Sequence, residues 1–165
     1  MPNARRPTPA DLTIAVCTVG RNGFLQAALN SLLHTTPADV TLSMVFNGCT
    51  DTDLIDEVTN LIADWDGPTS VKILDERLGI AGSHNVALNA ATTDFITFMG
   101  DDDLVLEPRV QRLLDVFADT TPTPVVVGSF CRRVSGDAHQ AKFTTNKDYG
   151  PATIEEWDEL RMAPR

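Results

Sequence analysis

Basic residues are scarce in this chain of 165: 13 lysines and arginines stand against 23 aspartates and glutamates, a formal net charge of −10. So little positive charge argues against a nucleic-acid backbone or an anionic membrane as the main partner, since both are held by basic surface. Cysteine is equally thin. Cys17, Cys49 and Cys131 are odd in number and lack close metal-ligand spacing, which excludes a disulfide framework and reads as the reduced thiols of a cytoplasmic protein. Cys17 and Cys49 read as small buried residues. No hydrophobic run is long enough to span a bilayer, so no transmembrane segment is expected. Residues 1–10 hold three prolines and two arginines and no apolar stretch of signal-peptide length; they read as a flexible leader.

What is present suffices for one well-cored domain over 11–165 and is too short for two, with 42% of residues hydrophobic. Four times an apolar run gives way to a loop and then to a helical stripe. Residues 12–17, 40–46, 71–74 and 95–99 read as strands. Helix faces follow at Leu25, Ala28, Leu29, Leu32 and Leu33, and at Leu54, Val58, Leu61, Ile62 and Trp65. A small-residue helix is expected over about 83–91, and a last inner face at Val110, Leu113, Leu114 and Phe117. Pro37 closes the first helix, because the residue before a proline is pushed out of the α region. Pro108 suits the first position of the fourth.

Such alternation predicts a mainly parallel sheet with helices on its faces. Ligands bind open sheets of this kind at the carboxyl ends of the strands, so Thr18, Asn47, Arg77 and Asp101 are expected to share one crevice. Beyond residue 120 a fifth strand is expected over 125–130 and a returning strand over 141–144. A final helix has capping-box spacing, Thr153 with Glu156, ahead of Trp157, which reads as a packing anchor.

The fourth strand ends in Gly100-Asp101-Asp102-Asp103. Three adjacent carboxylates repel one another, and a hard divalent cation such as Mg²⁺ or Mn²⁺ relieves that repulsion by taking carboxylate oxygen. The plain alternative is a solvated acidic turn between a strand and a helix. Position at a strand's carboxyl end, facing three other strand-end loops, favours the metal site.

Four stretches in order carry a family likeness: Cys17-Thr18-Val19-Gly20-Arg21, Val45-Phe46-Asn47-Gly48-Cys49-Thr50-Asp51, Gly79-Ile80-Ala81-Gly82-Ser83-His84-Asn85 and Asp101-Asp102-Asp103-Leu104. Over about residues 12–120 the chain resembles the nucleotide-binding half of the GT-A glycosyltransferases of family 2. The resemblance implies a three-layer α/β/α sandwich with a nucleotide-sugar-binding half over 12–120 and a shortened acceptor-side part over 121–165. It implies that the loop holding Cys17, Thr18, Val19 and Arg21 runs along base and ribose. Asn47 stands where an aspartate usually meets the base. Gly79 and His84 belong to a segment of donor contacts, with His84 where a basic residue is usual. Asp101, Asp102 and Asp103 match a DXD motif, with Asp103 as metal ligand and Asp101 as the ribose or sugar contact or a second ligand.

Several of these roles also stand on chemistry. A nucleotide diphosphate and an acidic site repel until a cation bridges them, and Arg77 or Arg21 adds a charge-assisted phosphate contact. An amide at Asn47 suits the single imide N–H of uracil or thymine, favouring a UDP- or dTDP-linked donor. The resemblance thus implies a metal-dependent, inverting glycosyltransferase acting on an unidentified acceptor. Glu155, Glu156 and Asp158 are the only late acidic cluster available as catalytic base, and otherwise a solvated helix face. The alternative is a nucleotide-sugar-binding module completed by a partner chain or a further segment. A homo-oligomer is compatible with either reading.

Overall fold

The four apolar runs become four parallel strands in the computed structural model, which describes residues 6–20, 24–105 and 107–119. β1 (Leu12–Thr18) and β2 (Thr41–Asn47) are buried almost end to end, and β3 (Thr69–Leu74) and β4 (Phe95–Gly100) flank them in the order β3-β2-β1-β4. Burial on both faces explains why β1 and β2 read as unbroken apolar runs rather than alternating ones. β3 alternates less cleanly because it lies at the sheet's margin, with Lys72 and Ile73 exposed.

Helices α1 (Phe24–Thr35), α2 (Thr52–Ala63) and α4 (Arg109–Asp119) cover one face, and α3 (Gly79–Ala90) packs on the other. The first face carries the larger core. Ile14, Val16, Met44 and Phe46 meet Leu25, Leu29, Val58 and Leu114 there. The second face is smaller: Ala15 and Val45 receive Ala87, with Cys17, Leu74, Ile96 and Phe98 around them. This is the expected α/β/α layering.

Local chemistry sets the helix ends. α1 stops two residues before Pro37. Asp51 caps α2 by accepting from the Leu54 amide at 3.1 Å. Pro108 lies one residue ahead of α4, and its carbonyl accepts the Arg112 amide. α3 departs most from expectation, starting at Gly79 instead of near Ser83. Two glycines in four residues read as loop because glycine is a poor helix former. The early start is supported by the Ser83 hydroxyl, which donates to the Gly79 and Ile80 carbonyls at 3.1 and 3.0 Å.

Of the residues read as leader, those from Arg6 onward are described. Arg6 pairs with Asp115 and Asp119 on α4, and Thr8 donates to Asp11 through both amide and hydroxyl at 2.8 Å. The expected fifth strand, returning strand and last helix lie outside the described residues, with Glu155, Glu156, Trp157 and Asp158. None of the described helices is long and apolar enough to cross a membrane.

The strand order places a switch point beside β1. From β1 the chain builds outward through β2 and β3, then returns to add β4 on the opposite side. In open sheets of this kind such a switch point, here between β1 and β4, marks the place of a crevice at the strands' carboxyl ends.

Candidate functional site

Register brings the two loops at the switch point together, since Cys17 in β1 pairs with Gly100 in β4. The next residues meet directly: the Thr18 hydroxyl donates to Asp101 Oδ2 at 2.6 Å and accepts from the Gly20 amide at 3.0 Å. Asp101 is only 3% exposed. A carboxylate so buried requires donors, and the short charge-assisted bond from Thr18 supplies one.

Asp102 and Asp103 are exposed. Their carboxylates fold back over Gly100, where an added Cβ would lie 3.0 Å from Asp102 Oδ1 and 2.9 Å from Asp103 Oδ2. The Gly100 amide donates to Asp103 Oδ2 at 3.2 Å. The aspartates thus divide into one buried tie between loops and two exposed groups.

Asn47 and Gly48 build a second wall. The Asn47 side chain accepts from the Leu78 amide at 2.7 Å and donates to the Gly79 carbonyl at 3.1 Å, while the Gly48 amide donates to the Leu74 carbonyl at 3.1 Å. Gly48 has φ +68, and an added Cβ would sit 2.7 Å from the Arg77 amide nitrogen. Only glycine fits there, because both the left-handed backbone and the space are closed to other residues. The result is a pinned turn that carries the exposed Arg77.

The third wall comes from α3. His84 stacks on Phe98 of β4, ring centroids 4.2 Å apart and planes 18° from parallel. Cys17 lies beneath, half-buried. Burial pushes its thiol above the ordinary range; a hydrogen bond with Ser83 pulls the other way, and the Asp101 charge adds to the rise.

These walls enclose a cleft of about 310 Å³, near the lower end for small-ligand sites. It gathers eight of the residues expected from sequence: Cys17, Thr18, Val19, Asn47, Arg77, Gly79, His84 and Asp101. Asp102 and Asp103 stand past the end of β4 and do not line it, and Arg21 lies outside the described residues. Two lining residues were missed, Ile80 and Ser83. The available signal was spacing, since Ser83 follows Gly79, and His84 follows Ile80, at the four-residue interval of one helix face. Starting α3 at Ser83 hid it.

The chemistry of the donor set fits a hard divalent cation. Carboxylate oxygen is what Mg²⁺ and Mn²⁺ prefer, and Asp103 presents it on an exposed turn. Among the described residues no three His, Cys, Asp or Glu side chains converge. A cation here would take one or two ligands from the described residues, a mode in which phosphate oxygens and water can supply others.

Comparison with known proteins follows the same lines. The family model for Glycosyl transferase family 2 matches residues 13–160. An uncharacterized glycosyltransferase of Nostoc sp. is 32% identical over 95 residues, covering 57% of this chain and 29% of the relative. Among solved structures, S. aureus TarS in complex with UDP-GlcNAc superposes with a TM-score of 0.59 at 20% identity, over 66% of this chain and 31% of that one. The mannosyltransferase PcManGT from Pyrobaculum calidifontis, in complex with GDP-Man and Mn²⁺, gives 0.53 at 21% identity, over 64% and 31%. At these identities the structures bear on the fold, and the chain spans about a third of each relative's length.

Proposed function

This chain belongs to glycosyl transferase family 2, and from that premise we propose that it transfers a sugar from a nucleotide-diphosphate donor to an acceptor. The observation that carries the reading is the cleft itself: the Thr18–Asp101 tie and the pinned Arg77 turn line one crevice at the carboxyl ends of parallel strands. UDP-GlcNAc bound to TarS and GDP-Man with Mn²⁺ bound to PcManGT support a nucleotide sugar and a divalent cation here.

In this reading the segment from Cys17 to Val19, with Arg21, borders base and ribose, and Arg77 donates to a phosphate. Asp101, Asp102 and Asp103 act as the DXD element. Asp103 holds the cation, Asp101 meets the ribose or donor sugar or serves as a second ligand, and Asp102 completes the turn. When bound, the cation neutralises charge on the departing diphosphate, a Lewis-acid contribution. His84, braced on Phe98, closes the α3 side of the donor. The transfer is an inverting in-line displacement in which a carboxylate takes the acceptor's proton, with Glu155, Glu156 and Asp158 as the candidates. A UDP- or dTDP-linked donor is favoured. Free Cys17 and Cys49 fit a reducing, cytoplasmic setting.

Full-length protein incubated with UDP-, dTDP- and GDP-linked sugars and Mn²⁺ tests this through release of nucleoside diphosphate. Release that is lost in Asp103→Ala supports the enzyme. Donor binding without release on a broad acceptor panel points instead to a binding module that needs a partner chain or further segment. No binding and no release would contradict both.

A further inference from the structure

Asn47 falls where a base-reading side chain is expected, yet its amide faces the protein. Its oxygen accepts from the Leu78 amide at 2.7 Å and its nitrogen donates to the Gly79 carbonyl at 3.1 Å. These partners fix the amide's orientation, because an N–H requires the oxygen and a carbonyl requires the NH₂. With the residue 4% exposed, little of it remains for a ligand. Both bonds land on the turn that carries Arg77, and Gly48 pins the same turn through Leu74.

We propose that Asn47 is a positioning residue, clamping the β3–α3 turn so that Arg77 faces the donor diphosphate, and that it does not read the base. The inference rests on the donor-binding reading and deepens it: the Arg77 wall recognises the diphosphate common to every nucleoside diphosphate. A carboxylate would fail at this position, since its second oxygen would oppose the Gly79 carbonyl. A base reader would tolerate the same change, because a carboxylate accepts an imide N–H at least as well as an amide does.

The test titrates UDP, GDP and CDP with Mn²⁺ into wild type, Asn47→Asp, Arg77→Ala and the double variant. Affinity for all three should fall together by roughly tenfold in Asn47→Asp, the scale of a lost charged contact. The ratios among nucleotides should hold, and the double variant should be little worse than Arg77→Ala, because Asn47 acts through Arg77. A changed ratio, or losses that simply add, would overturn the inference. A measurement on wild type stands if the variants fail to fold: the Leu78 amide should stay protected from hydrogen exchange with and without UDP. Loss of that protection on UDP binding would mean that Asn47 turns to the ligand, which also overturns it. Wild type that binds no nucleotide would bring down the donor reading itself, and this inference with it.

Discussion

Thr18 and Asp101 are 83 positions apart in sequence and share one 2.6 Å hydrogen bond. Removing its donor leaves a carboxylate buried with one partner fewer, so Thr18→Val should destabilise the fold by about 1–3 kcal/mol. Urea denaturation measures the loss. Gly100→Ala should do the reverse: little change in stability, because only the tips of Asp102 and Asp103 must move, but weaker Mn²⁺-dependent nucleotide binding, because those tips are re-aimed. Cys17 makes a pH prediction. Its thiol is raised in the folded chain by burial, so with rising pH the unfolded chain releases this proton first. The contribution is present below the ordinary thiol range and fades as pH climbs through the folded value. Denaturation midpoints should therefore drop as pH rises past the ordinary thiol value of about 8.5, and Cys17→Ala should flatten that part of the slope. Residue identities at this scale were legible in sequence and their partners were not. Periodicity placed Asp101 at a strand end, but only the register of β1 against β4 brings Thr18 to it.

At the scale of elements, legibility followed burial. β1 and β2 stand in the middle of the sheet, and their continuous apolar runs announced them. The inner faces of α1, α2 and α4 were visible for the same reason, each matching a stripe of leucine, isoleucine or valine. α3 was the failure. Its buried residues are only Ser83 and Ala87, so no stripe marked its start. Besides the local Ser83 hydroxyl, tertiary contacts hold its first turn: the Asn47 clamp and the close pass of Gly48 against Arg77. Gly48→Ala should accordingly cost more than about 1 kcal/mol, from the left-handed φ together with the clash, and should abolish nucleotide binding as the Arg77 turn lifts. Matching denaturation and binding measurements on that variant test both halves.

Across the whole molecule, charge and topology act together. A chain at −10 repels a nucleotide diphosphate over most of its surface, so favourable binding requires a local reversal. The described cleft offers Arg77 on one wall and Asp101 on another, and the exposed turn past β4 carries Asp103, the proposed place for a cation. The alternation of strands and helices made the parallel sheet, and the edge where its loops gather, readable in the sequence, because parallel strands demand crossovers and crossovers put their loops on one side. Isothermal titration of the full chain with UDP, dTDP, GDP and CDP, with Mn²⁺ and with EDTA, bears most directly on the nucleotide-diphosphate site. At least one nucleotide should bind only with Mn²⁺, and Asp103→Ala should abolish that binding while leaving the fold intact, since Asp103 is exposed. No heat from any nucleotide in the presence of Mn²⁺, or binding unaffected by EDTA, would contradict the site.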